Sequence, residues 1–148
     1  MRGGATKIAD WGLPFAGRFG GLIKGDALQN MINREVQNKT IEQMRMPLGI
    51  VATELQTGKG ILFRTGNTGQ AVRASCSVPG VFQPTVISGK EYVDGGLVAP
   101  VPVSYARQMG ATLVIAVNIS SEPVHQDASG TLGVLQQTIS FMQQSINQ

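Results

Sequence analysis

Two uninterrupted apolar runs of strand length, 47–53 (PLGIVAT) and 112–118 (TLVIAVN), constrain the fold more than any other feature of the chain. A strand that is apolar at nearly every position needs cover on both faces, as the strands of a parallel sheet have. Between the runs lie two short strands, 85–87 and 91–93, around the turn Ser88-Gly89-Lys90. A helix over 102–109 follows, with proline in its first turn and Gly110 just past its end. Strand, helix and apolar strand in this order read as a right-handed crossover, so the expected fold class is α/β with a mostly parallel sheet and flanking helices.

The remaining elements come from local signals. Ala27, Leu28, Met31, Ile32 and Val36 fall at helical spacing behind Asp26, which is read as the N-cap. Thr40 and Gln43 have the spacing of a capping box that opens a short second helix ended by Pro47. Residues 60–65 form a strand expected to pair as a hairpin with the first apolar run across Thr57-Gly58, and 70–76 read as a short helix stopped before Pro79. The first 20 residues are glycine-rich and irregular. Three segments result: a main folded portion over 1–120, a polar linker over 121–130, and an amphipathic helix over 131–148. In that last helix Leu132, Leu135, Ile139, Met142 and Ile146 form one apolar stripe.

Composition excludes several classes of function. The chain has 42% hydrophobic and 14% charged residues, a balance that suits a buried core rather than disorder. Its net charge of +3 comes from 12 scattered basic residues, without the clustering a nucleic-acid footprint requires. One cysteine and one histidine rule out an internal disulfide and a zinc framework. No stretch approaches the roughly 20 apolar residues of a membrane span. Glu54, Glu91 and Asp127 lack metal-ligand spacing, and neither Gly58-Lys59 nor Gly89-Lys90 completes a phosphate loop. No metal or organic cofactor is expected.

The segment Val93-Asp94-Gly95-Gly96 carries the strongest chemical signal. An acid at the end of an apolar strand, followed by two glycines, can be held against a neighbouring reactive group. Glycine permits a sharp turn and leaves room for another segment to approach. The plain alternative is a turn-forming aspartate before two glycines. Ser75 and Ser77 do not lie on a strand–turn–helix elbow and read as hydrogen-bonding residues at a helix end or in a loop. Cys76 reads as an inert buried thiol, His125 as a solvent-exposed residue of a polar segment, and Arg73 as a partner in a structural ion pair.

Four segments, in order, resemble bacterial patatin-like phospholipases. They are 46–58 (MPLGIVATELQTG), then 69–75 with 78–84 (GQAVRAS, VPGVFQP), then 92–103 (YVDGGLVAPVPV), and finally 107–111 (RQMGA) before an apolar run. Ala99 stands where that family usually has asparagine. The resemblance runs from about Gly20 to Ser120. It implies a mostly parallel α/β sheet related to that of cytosolic phospholipases and an acyl-ester hydrolase that acts on lipids through a serine–aspartate dyad. By position the aspartate is Asp94, the general base, with Gly95 and Gly96 supporting its loop.

The Gly-x-Ser-x-Gly elbow of the family is absent from these 148 residues. The chain is therefore expected to be the C-terminal portion of the catalytic domain, inactive alone. Its expected partners are a lipid or other acyl ester and a second copy or a complementary chain that carries the nucleophile; nucleic acid is not among them. Location is left open between the cytoplasm and the membrane periphery. The competing expectation is a non-catalytic lipid-binding or assembly domain that keeps the scaffold without the chemistry.

Overall fold

A computed structural model of the chain describes residues 22–119, 137–139 and 141–142. Helix α1 spans Asp26–Glu35 and is followed by a 3-10 turn at Ile41–Gln43. Next come strands β1 (Ile50–Glu54) and β2 (Gly60–Phe63), helix α2 (Thr68–Ser75), strands β3 (Thr85–Ile87) and β4 (Lys90–Asp94), a second 3-10 turn at Gly95–Leu97, and helix α3 (Val103–Gln108). The polar linker and most of the expected C-terminal helix lie outside the described residues. Residues 137–139 and 141–142 are helical.

The four strands form one sheet in the order β2-β1-β4-β3. β1 pairs antiparallel with β2 (Ile50 opposite Phe63) and with β4 (Ala52 opposite Asp94). β3 and β4 make a tight hairpin with Thr85 opposite Tyr92. Its turn residues Ser88 and Gly89 both have positive φ, 50° and 78°, which matches the right-handed twist of the strands they join. Both hairpins were legible in the sequence.

Helices on a sheet bear out the α/β class, but the expected parallel pairing is not seen among the described residues. The single parallel contact is an isolated bridge between Ile23 and Phe82. β1 explains why the inference from apolarity failed. All five of its residues are buried because it is a central strand with neighbours on both edges and α2 across one face. Burial on both faces demands cover and is silent about strand direction. The run at 112–118 is not a strand, and no crossover unit forms among the described residues. Arg107 donates to the main-chain oxygens of Ala111 and Thr112 (3.3 and 2.6 Å) where this run begins. Beyond that point Leu113, Ile115, Val117 and Ile119 are exposed, Ile119 by 91%.

The core lies between α2 and the sheet. Ile41, Ile50 and Ala71 form one cluster, and Ala52, Ala74 and Tyr92 form another, with Phe63 packed against both. Full burial of an isoleucine such as Ile41 contributes about 1.5–3 kcal/mol. Ala71 and Ala74, small residues three apart, let α2 lie close on β1. The rings of Phe63 and Tyr92 meet edge-on at 5.1 Å, an arrangement that favours the ring quadrupoles.

α1 is joined to α2 mostly by polar groups. Asn33 accepts from the Gly69 N–H (2.8 Å) and donates to Asn67 (3.0 Å), whose own side chain caps α2 by accepting from the Gln70 N–H. Those N–H groups have no partner within the helix, so the cap satisfies them. A side chain on Gly69 would strike the Gln29 carbonyl, which makes glycine necessary where the two helices touch. Arg73 binds Asp26 (2.6 Å) and Gln29 (3.1 Å), the structural role expected of it. The N-cap of α1 is Gly25, with φ of 85°, rather than Asp26; the aspartate is instead the first helical residue and faces Arg73.

At the far end of β1 the buried Glu54 meets Lys90 at 2.8 Å and accepts from the Thr57 hydroxyl at 2.8 Å. The hydrogen bond from Lys90, then that from Thr57, holds the Glu54 carboxyl below its ordinary pKa, and Glu54 in turn raises Lys90. The contribution of Glu54 is therefore present above the ordinary glutamate pKa, about 4.3, and is lost as the pH falls through its lowered value. The contribution of Lys90 is lost as the pH rises through its raised value. In Glu54→Gln, melting temperatures measured across the pH range should fall below those of the parent at neutral pH and converge with them in acid. A constant difference at every pH would contradict this account.

Candidate functional site

β4 ends at Asp94, whose backbone leaves the strand and caps the 3-10 turn at Gly95–Leu97. Its Oδ1 accepts from the Gly96 N–H at 2.7 Å. Its main-chain N–H donates to the Ser77 carbonyl at 3.0 Å, and its carbonyl accepts from the Thr53 hydroxyl at 2.9 Å. Three elements therefore converge on one residue: β1, β4 and the segment that leaves α2.

The two glycines act differently. Neither has positive φ, so the 3-10 turn they form does not depend on the left-handed backbone that glycine permits. Gly95 is buried against β1, where a Cβ would collide with the Val51 carbonyl. Gly96 provides the N–H that orients the carboxylate.

The segment after α2 is shaped by its own turn. Gly80, with φ of 84°, follows Pro79, and the Val81 N–H returns to the Val78 carbonyl (3.1 Å), the arrangement of a type II turn. This turn brings residues 76–78 beside the end of β4. Ser77 is fully buried: its hydroxyl donates to the Arg73 carbonyl (2.7 Å) and lies 2.9 Å from the Thr85 hydroxyl. A serine hydroxyl has one hydrogen to donate, so Thr85 is the donor in the second contact. Such a serine cannot attack a substrate, in line with the sequence reading. Ser75 closes α2, and His125 lies outside the described residues.

The Asp94 side chain is half-buried, and among the described residues no basic side chain pairs with it. Desolvation raises its pKa, and the Gly96 hydrogen bond offsets part of that rise. Cys76 is exposed rather than buried as expected. Its thiol pKa is nevertheless raised, first by partial desolvation and then by the charge of Asp94, so the thiol stays protonated. Among the described residues no group of three or more histidine, cysteine, aspartate or glutamate side chains could hold a metal ion, and no helix is long and apolar enough to cross a membrane.

A half-buried carboxylate without a cation partner among the described residues, at the end of a strand and oriented by the next turn, is able to accept a proton. The family model for patatin-like phospholipase matches residues 5–107, a span that includes β1, α2 and the Asp94 turn. The chain belongs to the patatin-like phospholipase family. It is 33% identical over 100 residues to an uncharacterised NTE family protein of Mycobacterium tuberculosis, in an alignment that covers 68% of this chain and 28% of that protein. It is 31% identical over 103 residues to the human patatin-like phospholipase domain-containing protein 6, covering 68% of this chain and 8% of that one. The chain thus spans under a third of the length of these relatives.

In this patatin-like chain Asp94 ends β4 and Gly95 and Gly96 open the 3-10 turn that follows it. Sequence reasoning missed Thr53 and the main-chain oxygen of Ser77. Thr53 is the one polar residue of the run at 47–53, and a lone hydroxyl in a strand otherwise buried among apolar residues is the signal that could have marked it.

Two outcomes test this geometry. Gly95→Ala should lower stability by about 1–3 kcal/mol in denaturant titration, because the obstacle is backbone that cannot swing aside; an unchanged midpoint would show that the Val51 contact is not close. Asp94→Asn tests desolvation. Because the folded pKa is raised, the contribution of Asp94 to stability is fully present below the ordinary carboxylate pKa, about 3.9, and is lost as the pH rises through the raised value. The Asn variant should therefore melt higher than the parent at neutral pH, with the gap closing in acid. The same change should speed alkylation of Cys76, and equal rates would place the two side chains apart.

Proposed function

We infer that the complete protein hydrolyses acyl esters of lipids through a serine–aspartate dyad and that this chain supplies the aspartate, Asp94. The observation that carries the reading is the Asp94 carboxylate: half-buried, raised in pKa, unpaired with any cation among the described residues, and oriented by Gly96. A carboxylate whose pKa is raised by desolvation is, in its ionised form, a stronger base than one in water. Family membership supports lipid esters as the substrate class.

In the proposed reaction Asp94 takes the serine proton as the serine oxygen bonds to the acyl carbonyl. The tetrahedral intermediate collapses, the alcohol leaves with the proton from Asp94, and an acyl-enzyme remains. Asp94 then takes a proton from water as the water oxygen attacks. The second intermediate releases the carboxylic acid, and the serine oxygen recovers its proton. Oxyanion donors and nucleophile would come from a complementary segment, since no Gly-x-Ser-x-Gly occurs in these 148 residues. Nucleophile, base and donors act as a unit, so this chain alone is expected to be inactive.

The exposed apolar residues Leu113, Ile115, Val117 and Ile119 favour a seat for that complementary segment or for a second copy. They equally suit the second reading, an assembly domain without chemistry. One comparison separates the two. In the full-length protein with its serine nucleophile, p-nitrophenyl butyrate hydrolysis should fall by about 10²–10⁴-fold in Asp94→Ala. Undiminished turnover in that variant would remove Asp94 from the mechanism, and a full-length protein without turnover would favour assembly.

A further inference from the structure

We propose that Thr53 is a positioning residue for Asp94: its side-chain hydroxyl and the main-chain oxygen of Ser77 clamp the Asp94 peptide groups from opposite sides and so place the carboxylate. The proposal rests on the reading of Asp94 as the base.

The clamp consists of two hydrogen bonds to the backbone of a single residue. The Thr53 hydroxyl donates to the Asp94 carbonyl at 2.9 Å, and the Asp94 N–H donates to the Ser77 carbonyl at 3.0 Å. Both anchors are buried and fixed in their turn. Thr53 lies in the middle of the sheet, paired with Gly60 on one side and Val93 on the other. Ser77 is held by its hydroxyl to the Arg73 carbonyl of α2 and to Thr85 of β3. A polar side chain buried in a central strand costs stability unless its hydrogen bond is made. The bond Thr53 makes goes to the residue at which β4 stops being a strand.

Placement matters here because a carboxylate that takes a proton directly from a hydroxyl has no intervening imidazole to absorb an error in distance. Misplacement by about 1 Å can cost a factor near 10² in rate. The Gly96 N–H sets the side-chain direction but belongs to the same turn, so it moves with Asp94. The strand partners of Asp94 fix its height in the sheet, and the clamp fixes the peptide planes on either side of its Cα. Thr53 thus acts on the reaction through Asp94 and touches no reacting atom itself.

The test uses the full-length protein with p-nitrophenyl butyrate as substrate and compares Thr53→Val, Thr53→Ser, Ser77→Ala, Thr68→Val and Asp94→Asn. Thr53→Val should lower kcat by about 10- to 100-fold with KM changed less than about twofold. Thr53→Ser keeps the hydroxyl and should stay within about threefold of the parent. Thr68 is the control, a buried threonine whose hydroxyl donates to the Lys39 carbonyl (2.7 Å) away from Asp94; its valine variant should lose stability without losing kcat. Should Thr53→Val not fold, Ser77→Ala, which loosens the opposite anchor, reads the same quantity and should show the same loss confined to kcat.

Several results would overturn the clamp: a folded Thr53→Val with parental kcat, equal losses in the valine and serine variants, a loss in Thr68→Val as large as that in Thr53→Val, or an unchanged kcat in Ser77→Ala. Any of these, alongside an inactive Asp94→Asn, leaves Asp94 as the base. Retained activity in Asp94→Asn instead removes the base itself, and the clamp with it.

Discussion

Five residues of β1, buried from end to end, hold the rest of the described structure in place. β2 and β4 pair with its two edges, α2 covers one of its faces, and the 3-10 turn after Asp94 rests on its backbone. Because side chains alternate across a strand, one slip of register between β1 and β4 would move every side chain of β4 to the opposite face. Asp94 would then lose both the Thr53 hydroxyl and the close approach of Gly95 to Val51. Glu54 and Lys90 stand against such a slip, since their ion pair forms only when the end of β1 and the start of β4 are in this alignment. The candidate site is thus a consequence of strand register, set by apolar burial and locked by a charge pair some distance from the chemistry.

The buried polar groups follow one logic. Thr53, Ser77 and Thr85 are buried with hydrogen bonds made, and all three lie within two bonded steps of Asp94. An apolar residue would fill each space without the risk of an unpaired hydroxyl. Their common feature is that they join elements: β1 to β4, α2 to the segment after it, and that segment to β3. A satisfied network of this kind specifies one arrangement among the compact alternatives, where an all-apolar core would tolerate several. Asp94 itself runs against stability, since its carboxylate is partly desolvated and lacks a countercharge among the described residues. Local cost with rigid support around it is the pattern that the role proposed for Asp94 would leave.

Much of this was legible in the sequence, and the misses have physical causes. The two hairpins announced themselves through turn residues, because Thr57-Gly58 and Ser88-Gly89 admit few other conformations. Gly110 and Pro102 bounded α3 for the same reason. Sheet direction was not legible, since an apolar run records only that both faces are covered. The run at 112–118 carries the strongest strand pattern in the chain, yet a strand is a relation between segments, and this run forms none among the described residues. Asp94 was found through motif order. Thr53 was passed over because a threonine in an apolar strand looks like ordinary β-propensity until the carbonyl opposite it is seen. The α1 cap falls at Gly25 rather than Asp26, and the aspartate, as first helical residue, pairs with Arg73 of α2, a tertiary contact that the local sequence does not announce.

The direct dyad proposed above would place opposing demands on Asp94. A carboxylate is a stronger base as its pKa rises, but it must still be ionised at the working pH, so its best value lies somewhat below that pH. In the described structure desolvation has already moved Asp94 upward while the Gly96 hydrogen bond restrains it. A complementary segment that covered the carboxylate would desolvate it further, and a serine hydroxyl brought within reach would donate to the ionised form and pull the pKa back. The two effects have opposite sign and arrive together. Under the proposed reading, a base so arranged would stay modest while uncovered and become effective once its nucleophile is present, as a division of the chemistry between this chain and a complementary segment would require.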